Sequence, residues 1–129
     1  MSGNNAAIVN SALSVHEVTR KLKDKGLNVK QLGKSILAAG DYVFKVHSQS
    51  MSGTALQKLV YWVFKLHFDF KQYKHKIIVL DLINVTNDYD TIKYVNAAIN
   101  SLQLSEGLSN TDIRIIDSVD RFNVVLQEV

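Results

Sequence analysis

Apolar and polar residues alternate through the centre of the chain. From Val60 to Lys71, apolar residues occupy the even positions and mostly polar residues occupy the odd positions. A period of two, in a stretch rich in aromatic and β-branched residues, is typical of a strand with one buried face. The alternation therefore predicts a strand over 60–71. A helix over 54–70 is the alternative, because several apolar residues also lie near one helical face: Leu56, Leu59, Val60, Val63 and Phe70. That alternative leaves Trp62 and Phe68 on the solvent side.

Helical patterns occupy the first 40 residues. Ser14 and Glu17 have the spacing of a capping box, and Gly26 is a natural stop for the helix that they begin. A second short helix is predicted over 28–40, because three apolar residues share one face: Val29, Leu32 and Ile36. Two helices joined in this way have the outline of a helix-turn-helix DNA-binding motif.

Two further strands are predicted on either side of this central stretch. Residues 41–47 alternate weakly, and residues 48–53 are small and polar, as in a loop. Residues 72–75 form a polar break of hairpin length. The run over 76–83 is apolar on both faces, which predicts a central strand covered on both sides.

The last third of the chain predicts one helix and a hairpin. A helix over 88–104 has a single apolar stripe, consisting of Ile92, Val95, Ile99 and Leu102. Residues 113–117 and 122–127 are predicted to form a closing β-hairpin around 118–120. The order of elements predicts an α+β fold, in which a mostly antiparallel sheet of four to five strands packs with two or three helices.

Composition limits the protein classes that this sequence fits. A chain of 129 residues with 47% apolar residues predicts one domain, with a helical segment at 1–40 and the sheet and a helix at 41–129. Cysteine is absent, which excludes disulfide frameworks, thiolate zinc sites and cysteine nucleophiles. Neither a signal-peptide pattern nor a membrane-spanning run is found, so no membrane partner is expected.

Charge is divided unevenly along the chain. Residues 1–76 carry twelve Lys and Arg against four acids, and residues 77–129 carry three against eight, so that net charges of +8 and −5 give the total of +3. Such a division fits nucleic-acid binding, and it also fits docking of one subunit face on the opposite face of its neighbour.

No pattern in the sequence predicts catalysis. The four histidines have no ligand spacing between them, and His67 falls on the solvent face of the predicted strand. Asp81 is interpreted as an acid that bonds the loop after its strand, and Asp88 and Asp90 as acids in the first turn of a helix. Glycine-rich phosphate loops and nucleophile elbows are absent. We therefore expect no enzyme, and no catalytic, cofactor or metal site.

The order of elements resembles that of the tail-terminator and neck proteins of tailed bacteriophages. In that family, an N-terminal helix is followed by a strand and loop, a long amphipathic strand, one helix and a closing hairpin. The matching segments are 5–25, 42–53, 60–71, 89–102 and 121–129.

This resemblance implies a non-enzymatic virion component, made in the host cytoplasm, that forms a ring of six copies between tail tube and head. Its partners would be further copies of itself and other virion proteins, with nucleic acid less favoured. The candidate interaction residues are Lys21, Lys23, Lys25, Lys30, Lys34, Ser50, Met51, Lys65, Asp69, Arg114 and Arg121.

Two alternatives remain open at this point. Residues 76–86 look like the central strand of anti-sigma-factor-antagonist (STAS-type) regulators, a reading that requires a helix over 54–70. In those proteins the following helix begins with a phosphorylatable serine, whereas residues 87–91 of this chain contain none. The other alternative is a small DNA-binding protein that uses the basic helices predicted at 14–39.

Overall fold

The computed structural model describes residues 13–47, 55–80, 112–116 and 118–129, together with Lys93, Asn96, Ala97 and Asn100. The elements, in chain order, are α1 (Val15–Asp24), β1 (Lys30–Gly33), β2 (Ile36–Ala39), β3 (Tyr42–His47), α2 (Ala55–Asp69), β4 (His75–Leu80), β5 (Asp112–Ile116) and α3 (Val119–Glu128).

The five strands form one mixed sheet in the order β1-β2-β3-β4-β5. The first two pairings are antiparallel, and the pairings of β3 with β4 and of β4 with β5 are parallel. The α+β class is confirmed. The prediction of a mostly antiparallel sheet is wrong, because α2 carries the chain back from β3 to the start of β4, so that the two strands run in the same direction.

Helices cover both faces of the sheet. On one face α1 and α3 pack on the strands through Val18, Leu22, Phe122 and Val125. On the other face α2 packs through Leu59, Val63 and Leu66. Both β2 and the described part of the 76–83 run are buried on both faces, and this double cover is the reason that β2 and residues 77–80 are apolar.

Helix α1 begins and ends close to where the sequence predicts. The Ser14 side chain accepts a hydrogen bond from the backbone N–H of Glu17 at 3.2 Å. The Glu17 carboxylate pairs with Arg20 at 2.9 Å. The chain leaves the helix through Gly26, whose φ of +87° is a conformation that favours glycine.

The predicted helix over 28–40, and with it the helix-turn-helix motif, is wrong. This segment is the hairpin of β1 and β2, in which Gln31 pairs with Leu37. The spacing of Val29, Leu32 and Ile36 suits a helix, but all four residues of β2 are buried between the helix layers. A helix exposes one side to solvent, and tertiary burial on both sides therefore favours the strand.

The predicted strand over 60–71 is also wrong, since α2 occupies this part of the chain. Leu59, Val63 and Leu66 are fully buried at helical spacing, whereas Phe64 and Phe68 are exposed. Two of the aromatic residues that produce the alternation therefore point away from the core, whereas Trp62 and Phe70 are partly buried against it. His67, predicted to be exposed, is 3% exposed on the buried side of the helix. A helix here is what the resemblance to STAS-type regulators requires.

The predicted closing hairpin is half correct. Residues 113–117 lie in strand β5 as far as Ile116, but 122–127 lie in α3. The Ser118 side chain caps this helix by accepting a hydrogen bond from the backbone N–H of Arg121 at 3.1 Å. Phe122 and Val125 then reach the sheet one helical turn apart, which the sequence pattern also permits.

The remaining predictions are confirmed or lie outside the described residues. The strand over 41–47 is confirmed, and the strand over 76–83 is confirmed as far as Leu80. Segments 48–53 and 87–91 lie outside the described residues. The four described residues of 88–104 are helical and exposed, and the predicted apolar stripe lies outside them. In the described part of the chain, no helix has the length and apolar character to cross a bilayer.

Candidate anion-binding site

A pocket of about 340 Å³ opens beside the carboxyl end of β3. The side of a sheet at the carboxyl ends of parallel strands is a common location of ligand sites in α/β proteins. Four regions contribute to this pocket, namely α1, the β1–β2 turn, β3 and α2. The described lining residues are Val15, Lys34, Ser35, Lys45, Val46, His47, Lys58 and Trp62.

Lys45 is the central cation of the pocket. It is 8% exposed, its Nζ donates a hydrogen bond to the Ser35 hydroxyl, and the same Nζ lies 4.2 Å from the ring centroid of Trp62. Burial lowers the pKa of Lys45 below the usual lysine value. The ammonium therefore contacts a hydroxyl and an aromatic face, and no carboxylate is among its described contacts.

His47 lies two residues further along the same face of β3. It is 5% exposed, and its Nε2 has no hydrogen-bond partner among the described residues. Burial, followed by the charges of Lys45 and Lys58, lowers the pKa of His47 to about 4. The ring is therefore neutral near pH 7, and one of its nitrogens is a buried polar atom that remains available to a ligand.

The remaining cations of the pocket come from outside the sheet. Lys34 lies in the turn between β1 and β2, and Lys58 lies in the first turn of α2, where the helix dipole also favours an anion. None of the described lining residues is an acid. Lys34 and Lys58 are exposed, whereas the buried charge of Lys45 costs stability, and a bound anion would offset that cost.

The geometry suits binding of an anion better than metal binding or acid–base catalysis. The pocket presents three ammonium groups, one hydroxyl and one imidazole, which are hydrogen-bond donors for oxyanions. Among the described residues, no three His, Asp or Glu side chains are close enough to hold a metal ion.

A second polar cluster lies at the opposite end of the sheet. Arg114 bridges Asp112 at 2.9 Å and Glu128 at 2.8 Å. His75 Nδ1 lies 2.6 Å from Asp112, and its ring stacks on Tyr42 with centroids 4.3 Å apart. Because these charges are already paired with each other, we assign the cluster a structural role in joining α3 to β5.

The candidate interaction residues predicted from the sequence lie in different parts of the structure. Lys34 lines the pocket, and Lys65 pairs with Asp69 on α2 at 2.8 Å. Arg114 belongs to the structural cluster, and Arg121 is exposed in the first turn of α3. The four remaining candidate lysines lie on α1, directly after it or in β1, and they are not part of the pocket lining: Lys21, Lys23, Lys25 and Lys30. Ser50 and Met51 lie outside the described residues.

Sequence reasoning missed most of the pocket. Lys45 and His47 alternate with apolar residues in β3, and this spacing places both side chains on one face of a strand. That signal was available in the sequence. The sequence gives no comparable signal for Ser35, Lys58 and Trp62. Their positions in the pocket depend on the β1–β2 hairpin and on α2, and both of these elements were predicted wrongly.

Comparison with known proteins yields no relative. No family model, no curated protein and no solved structure matches this chain.

Proposed function

We propose that this protein is a non-enzymatic binding protein whose pocket receives a phosphate group of a nucleic acid. The observation that carries the proposal is the burial of Lys45 beside His47 with no acid among the described pocket residues. Such an arrangement is costly for the free protein and favourable once an anion is bound.

A nucleic-acid phosphate fits this pocket better than a small carboxylate. Lysines from three regions surround the space, so that a tetrahedral oxyanion can receive donors from several directions. The N-terminal 76 residues, which include the three pocket lysines, also carry a net charge of +8. A surplus of this kind favours association with an extended polyanion.

A self-assembling virion component is the second candidate. Residues 60–71, predicted as a strand, lie largely in helix α2, and the observation that favours this candidate is the set of exposed aromatic side chains on α2. Native mass spectrometry of the free protein tests it, because a ring predicts a defined multimer and a binding module predicts a monomer.

The experiment for the first candidate uses Trp62, the single tryptophan of the chain. Its fluorescence is recorded while pyrophosphate, and separately an oligothymidylate, is titrated into the protein. Saturable changes are expected with both ligands. The variant Lys45→Met is expected to lose at least about 90% of the affinity, because it removes one charge-assisted hydrogen bond to the anion.

Lys23→Ala is the matched control, since it also removes one positive charge but lies on the exposed end of α1. It is expected to change the affinity for pyrophosphate less than twofold. Equal losses in Lys45→Met and Lys23→Ala would show that binding depends on total charge, and would contradict a specific pocket.

A further inference from the structure

Helix α2 has a row of aromatic side chains in solvent. Tyr61 is 56% exposed, Phe64 39% and Phe68 47%. These three residues, named here the aromatic surface, account for three of the five large exposed apolar side chains in the described part of the chain. Exposed aromatic residues grouped on one face commonly mark an interaction site.

The aromatic surface is continuous with the anion-binding pocket. The ring of Tyr61 contacts the ring of Trp62, which lines the pocket, with centroids 5.5 Å apart and planes at 83°. The rings of Phe64 and Phe68 are nearly parallel, at 8°, with centroids 6.3 Å apart. A ligand anchored in the pocket can therefore extend along α2 and meet further aromatic rings.

Positive charges accompany these rings along the helix. Lys58 lies at the pocket end, Lys65 follows two turns later, and the Nζ of Lys71 lies 5.6 Å from the ring centroid of Phe68. The distance along the axis from Lys58 to Phe68 is about 15 Å, at 1.5 Å per residue. Lysines interleaved with aromatic faces over such a length are the arrangement by which proteins hold single-stranded nucleic acid.

We propose that the ligand is a single strand of nucleic acid, with one phosphate in the pocket and the following bases stacked on the aromatic surface. This rests on the proposed function, because the pocket supplies the anchoring phosphate contact. Duplex fits the site less well, since its bases are already stacked on each other and their faces cannot reach Phe64 and Phe68.

A second copy of the chain is the other occupant to consider for this surface. The exposed side of α2 carries Lys58 and Lys65, and Lys71 follows its end, against one acid, Asp69, which pairs with Lys65 within the helix. Two such surfaces face to face would bring like charges together, which is unfavourable. The charge of the surface therefore favours a polyanion over a second copy.

The test compares four ligands by the fluorescence of Trp62. They are an oligothymidylate of about twelve nucleotides, an abasic phosphodiester strand of the same length, a duplex of the same length, and pyrophosphate. The wild-type protein is expected to bind the oligothymidylate about tenfold or more tightly than the abasic strand or the duplex. The double variant Phe64→Ala/Phe68→Ala is expected to lose that preference while its affinity for pyrophosphate stays within twofold.

Val124→Ala is the control variant, because Val124 is 59% exposed on α3 and lies outside the pocket and the aromatic surface. It is expected to bind all four ligands as the wild type does. Phe64→Leu/Phe68→Leu keeps apolar volume without an aromatic face and is expected to resemble the alanine variant, so that stacking is separated from general loss of apolar surface.

Failure of this inference can be distinguished from failure of the proposed function. Equal affinity for the oligothymidylate and the abasic strand, with pyrophosphate binding intact, would overturn base stacking and leave the pocket in place. A wild-type dimer that the double variant converts to a monomer would overturn it in favour of a second copy. Absence of pyrophosphate and oligonucleotide binding would overturn both proposals.

Discussion

The Nζ of Lys45 lies 4.2 Å from the centroid of the Trp62 ring, so that a buried strand cation meets an aromatic face supplied by α2. The neighbouring hydroxyl of Ser35 accepts a hydrogen bond from the same nitrogen. These contacts reduce the cost of burying Lys45, but they provide no negative charge. Among the described residues, no carboxylate pairs with the Lys45 ammonium.

Replacing Lys45 with methionine is expected to leave the protein as stable as the wild type or more stable by about 1 kcal/mol. Methionine keeps most of the apolar stem and removes a desolvated charge, and such replacements of buried charges are often neutral or stabilising. Urea unfolding measures the change. A loss of more than about 2 kcal/mol would show that Lys45 has mainly a structural role.

Stability should depend on pH through His47. Its pKa is lowered to about 4 in the folded protein from an ordinary value of 6.5, so between these values the unfolded chain binds a proton that the folded protein does not. The free energy of unfolding therefore has its full value above about pH 6.5. It falls by up to about 3 kcal/mol as the pH drops towards 4. Urea unfolding across this range measures it.

His47→Gln should remove that part of the pH dependence, and His16→Gln should retain it, because His16 is exposed on α1. The charged groups that line the pocket with His47, among the described residues, are Lys34, Lys45 and Lys58. Since these are all cations, an added anion is expected to offset part of the loss at low pH. Identical pH profiles for wild type and His47→Gln would contradict this assignment.

The salt dependence of oligothymidylate binding should become steeper with the number of lysines that contact the strand. The logarithm of the association constant falls linearly with the logarithm of the salt concentration. On a single strand, each phosphate contact contributes about −0.7 to the slope of this line. Lys58→Ala is expected to reduce the slope by about this amount. Lys23→Ala should leave it unchanged, and a similar reduction in both variants would indicate nonspecific binding.

Two neighbouring residues on α2 should differ sharply in their effect on stability. Val63→Ala is expected to cost about 2 kcal/mol, because Val63 is fully buried against the sheet. Phe64→Ala should cost less than about 1 kcal/mol, since the ring is 39% exposed. Thermal or urea unfolding gives both values. The reverse order would be the result for a strand with its even positions buried.

Arg114 should contribute to stability through its two partners on β5 and α3. Arg114→Met leaves Asp112 and Glu128 without their shared cation and is expected to cost about 1 to 2 kcal/mol in urea unfolding. Arg20→Gln, which removes an exposed pair of bridges within α1, should cost less. Equal losses would show that the cluster is no stronger than surface ion pairs.

One error of sequence interpretation falls on the residues of the proposed binding surface. Trp62, Phe64 and Phe68 made the even positions of 60–71 apolar and so predicted a strand, although two of these side chains are exposed. Hydrophobic patterning assumes that large apolar residues are buried. A helix that keeps aromatic rings in solvent breaks that assumption, and a surface for a ligand is a physical reason for keeping them there.

Local signals were sufficient for other elements. Ser14 and Gly26 delimit α1 because capping and a left-handed C-terminal residue depend on neighbours a few positions away. The apolar residues over 77–80 likewise predict a doubly covered strand, since burial on both faces favours apolar side chains at successive positions.

Strand direction and the pocket depend on contacts between distant parts of the chain. Whether β4 runs parallel or antiparallel to β3 follows from the path of α2 across the sheet, which no local pattern encodes. The pocket likewise needs Ser35 from a hairpin, Lys45 from a central strand and Trp62 from a helix to meet at one edge. Such a meeting is specified by packing of the whole core, so it became visible in the folded structure and not in the spacing of residues.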